Sequence, residues 1–200
     1  MPICAVIFDI GGVLNRVQGI GAPGRWQTRL GLSDQELAYA IFDGPVTLAA
    51  SLGQASPQDV WSSVAQRLGL SPAEMAELED DAWSAYVWNT ELLDFVRSLR
   101  PRYKTATLSD AWPDARERCK DHINSNVFDV MVFSAEEGIK KPNSDMYRRA
   151  LEHLGVAAQE AIFVDDKQRN VDAATALGLH GVVYTNNAPC CAEIKRLLGE

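Results

Sequence analysis

Five times along this chain a short apolar run stops on polar residues: "ICAVIF" before Asp9, "KTATL" before Ser109 and Asp110, "FDVMVF" before Ser134, "AIFV" before Asp165 and Asp166, and "GVVY" before Thr185. Runs of this length, rich in β-branched residues, read as strands. Their continuous rather than alternating apolar character marks strands covered on both faces. From residue 89 onward, stretches with helical character fill the gaps: "ELLDFVRSLR", residues 113–122, "SDMYRRALEHLG" and "NVDAATALGL". Strands separated by helices pair in parallel through crossover connections. The economical fold is α/β, a doubly wound parallel sheet of five strands, whose ligand crevice lies at the carboxyl ends of the strands.

Between the first two strands the character changes. Three helix starts carry the same local signal: Ser33 with Glu36, Ser56 with Pro57, and Ser71 with Pro72 and Glu74. Each pairs an N-cap hydroxyl with a capping-box acid or a first-turn proline. Helices are expected near 24–31, 34–43, 57–68 and 72–87, and no strand pattern interrupts them. Apolar residues such as Leu37 and Ile41, Val60, Trp61 and Val64, and Met75 and Leu78 fit helical faces that pack on one another. The expected organisation is an α/β core from residues 1–16 and 89–200, with a small all-helical cap, residues 17–88, inserted after the first strand. With 200 residues, 46% of them hydrophobic, the chain can bury a core of that size.

A formal net charge of −8 argues against nucleic acid or an anionic membrane surface as the main partner, since both need a basic patch. The first residues, "MPICAVIFDIGG", have no basic n-region and their apolar run breaks at Asp9. They read as neither signal peptide nor anchor, so a cytoplasmic address is expected. Cys4, Cys119, Cys190 and Cys191 show no metal-ligand spacing and read as free thiols. "GIGAPG", residues 19–24, fits a dinucleotide-binding pattern, with Asp43 at about the right distance. It begins well past the strand end and contains Pro23, so a hinge between core and cap is the expected use of its glycines. His122, His153 and His180 sit in surface or helix-end contexts and suggest no ligand or base.

In a parallel sheet the polar residues at the strand ends converge on one crevice. Asp9, Ser109, Asp110, the segment from Ser134 to Lys141, and Asp165 with Asp166 therefore form one constellation of carboxylates, hydroxyl and lysine. Several carboxylates repel unless a hard cation joins them, and Mg²⁺ takes one or two carboxylates with water and phosphate oxygens. A lysine beside them offers a compact positive charge to a phosphate, and a serine hydroxyl can donate to another phosphate oxygen. One carboxylate can attack phosphorus directly to form an aspartyl phosphate. The set reads as phosphoryl transfer.

With these residues in view, the chain resembles the haloacid dehalogenase (HAD) superfamily of hydrolases, in the branch with a small helical cap. "FDIGGVLN" resembles its first motif, "TATLSD" the second, "SAEEGIKKPNSDMYRRAL" the third and "AIFVDDKQRNVDAATALGL" the fourth. The resemblance implies Asp9 as nucleophile and Mg²⁺ ligand, Asp166 as a second ligand with Asp165 beside it, and the Gly11 backbone carbonyl as a further ligand. It implies Ser109 and Lys141 as the groups that hold the phosphoryl, and Asn170 as a support for the metal site. Asp110 stands where the family commonly has Asn and reads as a supporting or capping residue. Arg25 and Trp26 are the best placed cap residues to line a substrate pocket.

The expected activity is therefore Mg²⁺-dependent hydrolysis of a small phosphorylated metabolite. One departure matters. The family's phosphatases carry a second aspartate two residues after the nucleophile as general acid and base, and this chain has Gly11 there. General acid–base help is worth about 10²–10⁴-fold, so a slow phosphatase is one consequence, and substrates with good leaving groups such as acyl or anomeric phosphates are another. A second reading is a catalytically weak metal-binding or interaction module. A third is a dehalogenase, which needs no metal and leaves Asp165 and Asp166 unexplained.

Overall fold

The computed structural model describes residues 2–200. Strand β1 (Ala5–Phe8) leads into a short strand β2 (Asn15–Val17), and five helices follow: α1 (Arg25–Leu30), α2 (Asp34–Phe42), α3 (Pro45–Ser51), α4 (Pro57–Leu68) and α5 (Pro72–Ser84). Strand β3 (Tyr86–Trp88) closes this excursion, and α6 (Thr90–Leu99), β4 (Lys104–Ser109), α7 (Ala115–Cys119), β5 (Val130–Phe133) and α8 (Ser134–Glu137) follow. The chain ends with α9 (Ser144–Leu154), β6 (Ala161–Asp165), α10 (Gln168–Ala176), β7 (His180–Val183) and α11 (Asn187–Leu198). The main sheet has the order β5-β4-β1-β6-β7, and every neighbouring pair is parallel. Strand order reverses at β1, which makes the crevice beyond its carboxyl end the topological switch point.

Alternate side chains of each strand feed opposite faces of the sheet. Val6 and Phe8 pack with Leu93 and Val96 of α6 and Ile194 of α11, while Ala5 and Ile7 pack with Met146 and Tyr147 of α9 and Ala174 of α10. Both faces are covered, as the continuous apolar runs require. A third apolar cluster holds the helical segment together: Leu37, Ile41, Val60, Trp61, Val64 and Leu78 pack there, joined by Trp112 from the loop after β4. Capping boxes start three of its helices, with Ser33 and Glu36, Ser56 and Asp59, and Ser71 and Glu74 each satisfying the other's backbone N–H.

Three features depart from the sequence expectations. Helix α5 ends at Ser84, short of residue 87, because Tyr86–Trp88 pairs antiparallel with Asn15–Val17. This two-stranded ribbon is the connection between sheet and helices, and three-residue strands are too short to show a period of two. Helix α3 follows Gly44, which has no side chain to announce a cap, and it begins on Pro45. Helix α7 covers only Ala115–Cys119 of the expected 113–122, because the asparagines beyond it bond to backbone instead: Asn124 Nδ2 donates to the Lys120 carbonyl and its Oδ1 accepts from Asn126 N–H. All four cysteines are free thiols. Among the described residues no helix is long and apolar enough to cross a membrane.

Candidate active site

Asp9 directly follows β1, and its backbone N–H donates to the Val164 carbonyl of β6 at 2.8 Å. That bond sets the end of β1 level with Asp165. The Lys141 ammonium lies between the two carboxylates, 2.8 Å from Asp9 Oδ1 and 2.7 Å from Asp165 Oδ2. All three side chains are buried, so the lysine is a charge partner in a water-poor setting rather than a surface ion pair. Asp165 is further held by Asn170 Nδ2, at 2.9 and 3.0 Å from its two oxygens, and by the Lys167 backbone N–H at 2.8 Å. Tyr147 in turn donates its hydroxyl to the Asn170 carbonyl at 2.9 Å. Helices α9 and α10 thereby fix one another around the carboxylate.

Asp166 is exposed at the mouth, and one carboxylate oxygen from each of Asp9, Asp165 and Asp166 lies within 4.8 Å of the others. Three carboxylates against one lysine leave a local charge of −3 + 1 = −2. Oxygen donors with that residual charge fit a hard divalent cation such as Mg²⁺. Burial pushes the Asp9 carboxyl up to about 6, against the opposing pull of Lys141 and with Asp165 adding to the rise. Burial by itself would push Lys141 down, but Asp9, Asp165 and Asp110 outweigh it and hold its ammonium above the ordinary value.

Ser109, the last residue of β4, is buried at the end of the strand that neighbours β1. Asp110 next to it accepts from the Lys141 backbone N–H at 2.9 Å and faces Lys140 Nζ at 3.8 Å. It is thus a tie between the second and third strand-end loops. Gly11 is exposed, and a Cβ built on it would meet nothing within 4 Å. Gly12 is different: its φ is +81°, and a Cβ there would lie 2.5 Å from Asp166 Oδ2. Only glycine lets the loop after Asp9 pass so close to that carboxylate.

The two cap residues and the glycine turn have well-defined surroundings. Trp26 is buried in the helical cluster, with its indole N–H donated to Asp81 at 2.7 Å. Arg25 pairs with Glu77 and Asp81. Trp26 is thus held inside the helical cluster, while the Arg25 guanidinium, paired but 43% exposed, stays at its surface. The glycine turn at residues 19–24 follows the ribbon directly, and within it Gly21 lies close against Asp81 and Trp26. The histidines have neighbours of their own: His122 stacks on Trp88, His153 lies near Glu137, and the His180 ring meets the Gln159 carbonyl.

The sequence also left one bridge unseen. Ser134 Oγ, fully buried, lies 2.6 Å from the Ser51 carbonyl of α3 and accepts from the Ala111 backbone N–H at 2.9 Å. The helical segment therefore touches the third strand-end loop at Ser134, which in turn holds the loop after Ser109 through Ala111. Gly53 makes the same approach, since a Cβ there would lie 2.3 Å from the Ala135 carbonyl oxygen. Ser51 and Gly53 carry no local motif, and only the folded chain brings them to the third strand-end loop.

The arrangement is that of a doubly wound α/β hydrolase with an acidic, lysine-bridged centre at its switch point. The chain belongs to the haloacid dehalogenase-like hydrolase family, whose profile matches residues 3–178. It is 28% identical over 199 residues to the sesquiterpene phosphatase astK of Aspergillus oryzae, covering 98% of this chain and 96% of that one. The HAD family enzyme bt-2542 of Bacteroides thetaiotaomicron superimposes with a TM-score of 0.79 at 17% identity, over 97% of this chain and 99% of that one. That enzyme has also been crystallised with magnesium and inorganic phosphate. An L-2-haloacid dehalogenase of Xanthobacter autotrophicus shares the fold with a TM-score of 0.63 at 22% identity, over 97% and 82% of the two chains.

Proposed function

We propose that this hydrolase is a Mg²⁺-dependent phosphatase of a small phosphorylated metabolite, working through an aspartyl phosphate on Asp9. The observation that carries the reading is the buried pairing of Asp9 with Lys141, 2.8 Å apart, beside the converging carboxylates of Asp165 and Asp166. Asp9, Asp166 and the Gly11 carbonyl would hold Mg²⁺, with Asp165 adjacent, and the ion would neutralise charge on the transferring phosphoryl group. Asp9 supplies the attacking oxygen. Lys141 and Ser109 orient the phosphoryl group by charge and hydrogen bond. Asn170 and the Lys167 N–H keep Asp165 in place, so that Lys141 stays aimed at the nucleophile.

The helical segment, residues 17–88, acts in this reading as a cap that excludes water and selects the substrate. Its bridge to the third strand-end loop through Ser51 and Ser134 supports that role. Likeness to a sesquiterpene phosphatase along the whole of both chains puts organic phosphates with a hydrocarbon body first in a substrate screen. A dehalogenase reading has the shared fold in its favour but leaves the residual −2 charge without a purpose. The test is phosphate release from p-nitrophenyl phosphate with and without Mg²⁺, beside Asp9→Asn. Turnover that needs both Mg²⁺ and Asp9 is expected, and turnover indifferent to Asp9 would remove the reading.

A further inference from the structure

The acidic and basic side chains gathered round Asp9 are already engaged, and Lys140 at the edge of the group turns its ammonium to Asp110 at 3.8 Å and to Ser51 Oγ at 3.5 Å. Asp165 has both oxygens committed to Lys141, Asn170 and the Lys167 N–H. Asp110 is engaged by the Lys141 N–H and faces Lys140. An ammonium at Lys141 that gave up its proton would leave two buried carboxylates unpaired, which is strongly unfavourable. Asp166 belongs to the carboxylate group that fits a cation. The Tyr147 hydroxyl already donates to the Asn170 carbonyl, and the three histidines lie with other partners. Gly11, two residues beyond the nucleophile, contributes no side chain and opens on free space.

From this survey we infer that the natural substrate is a phosphoric anhydride, an acyl phosphate or a diphosphate, whose leaving group departs as a stable anion without being protonated by the protein. The inference rests on the phosphatase reading above and narrows it. Leaving-group acidity decides how much an absent acid matters. A carboxylate leaves with a conjugate-acid pKa of about 4 and a phosphate with about 6. An alcohol resembles water, a far weaker acid than either, and its alkoxide is a poor leaving group without a proton.

In the first step an Asp9 carboxylate oxygen forms a bond to phosphorus while the bond from phosphorus to the leaving oxygen breaks. The electron pair of the broken bond departs with that oxygen, which leaves as carboxylate or phosphate. In the second step water adds to phosphorus and the bond from phosphorus to Asp9 breaks, returning its electron pair to the carboxylate. One proton of that water stays on the released phosphate and the other goes to solvent.

The experiment is a leaving-group series. kcat/KM, which reports transfer to Asp9, is measured with acetyl phosphate, aryl phosphates of graded phenol acidity and glycerol phosphate, for the wild type, Gly11→Asp and Gly11→Asn. The open space at Gly11, and a backbone outside the left-handed region, accommodate either side chain. Wild-type kcat/KM is expected to fall by more than about 10²-fold from the most to the least acidic leaving group. Gly11→Asp is expected to raise the rate on glycerol phosphate by about 10²–10⁴-fold relative to its own rate on acetyl phosphate, and Gly11→Asn is not. A wild type that cleaves glycerol phosphate as readily as acetyl phosphate, in an Asp9-dependent way, overturns the inference while leaving the phosphatase reading intact. Absence of Asp9-dependent turnover across the series overturns both. Should Gly11→Asp fail to fold, the wild-type slope decides alone.

Discussion

The α/β core and the helical segment use charge in opposite ways. In the core, Asp9, Asp165 and Lys141 are buried together at the strand ends, where desolvation makes each charge depend on the others. In the helical segment the ionic side chains stay at the surface. Glu36, Asp59 and Glu74 cap helix starts, Arg25 and Arg29 pair with Glu77 and Glu74, and the interior is left to apolar and aromatic side chains. Charge in the first region is buried, and each group there depends on the others at a cost in stability. In the second it organises local folding, with small contributions from each pair.

The contrast is sharpest at Lys141. Lys141→Met leaves two buried carboxylates without their cation and is expected to cost about 3–5 kcal/mol, along with turnover; thermal unfolding and phosphate release measure both. A loss under 1 kcal/mol would mean that water already reaches the pair. In the helical segment an effect of similar size comes from packing instead. Trp61 is fully buried among Trp83 and Trp112, at ring-centroid distances of 6.2 and 6.1 Å. Trp61→Ala is expected to cost about 3–5 kcal/mol while the Tm gain on adding Mg²⁺ is retained. Loss of that gain would show that the two regions do not respond separately.

A change of opposite sign is expected at the nucleophile. Asp9→Asn removes one negative charge from a cluster with a net charge of −2. It should abolish turnover yet stabilise the cation-free protein by about 1–3 kcal/mol at neutral pH, the scale of one to two pKa units. Differential scanning calorimetry without Mg²⁺ reads this, and a destabilised variant would mean that Asp9 is needed to hold Lys141 in place.

The smallest effect belongs to the caps. Ser71→Ala removes the hydroxyl that accepts from the Glu74 N–H and should cost about 1 kcal/mol. Its partner adds a pH signature. The Glu74 carboxyl is held down at about 2, by Arg29 first and then by Ser71. A lowered folded-state pKa gives stability that is present above the ordinary 4.5 and is lost as pH falls toward 2. The difference in Tm between wild type and Glu74→Gln should therefore close over that acid range, and a constant gap would contradict the assignment.

The two regions were also legible in the sequence for different reasons. Capping boxes are local signals, so Ser33, Ser56 and Ser71 could be read in isolation and the structure places helix starts at each. The strands were legible from continuous apolar runs, and a parallel order was enough to bring Asp9, Asp165 and Lys141 together. Non-local features stayed hidden. The Asn15–Val17 and Tyr86–Trp88 ribbon joins segments too short to show a period. The burial of Trp26 on Asp81 depends on how α1 meets α5, which helical periodicity does not encode. The same holds for Ser51 reaching Ser134. What a strand end will contain can be read from sequence, whereas what a helical insertion presents to it depends on packing.

The claim at the centre is that Asp9 becomes phosphorylated. Protein mixed with acetyl phosphate and Mg²⁺ and quenched in acid within the first turnover can be digested with trypsin and weighed. The expected result is one added phosphoryl group on the peptide of residues 1–16, which carries Asp9, absent without Mg²⁺ and absent in Asp9→Asn. Steady phosphate release with that peptide unmodified, or an adduct that persists in Asp9→Asn, would contradict it.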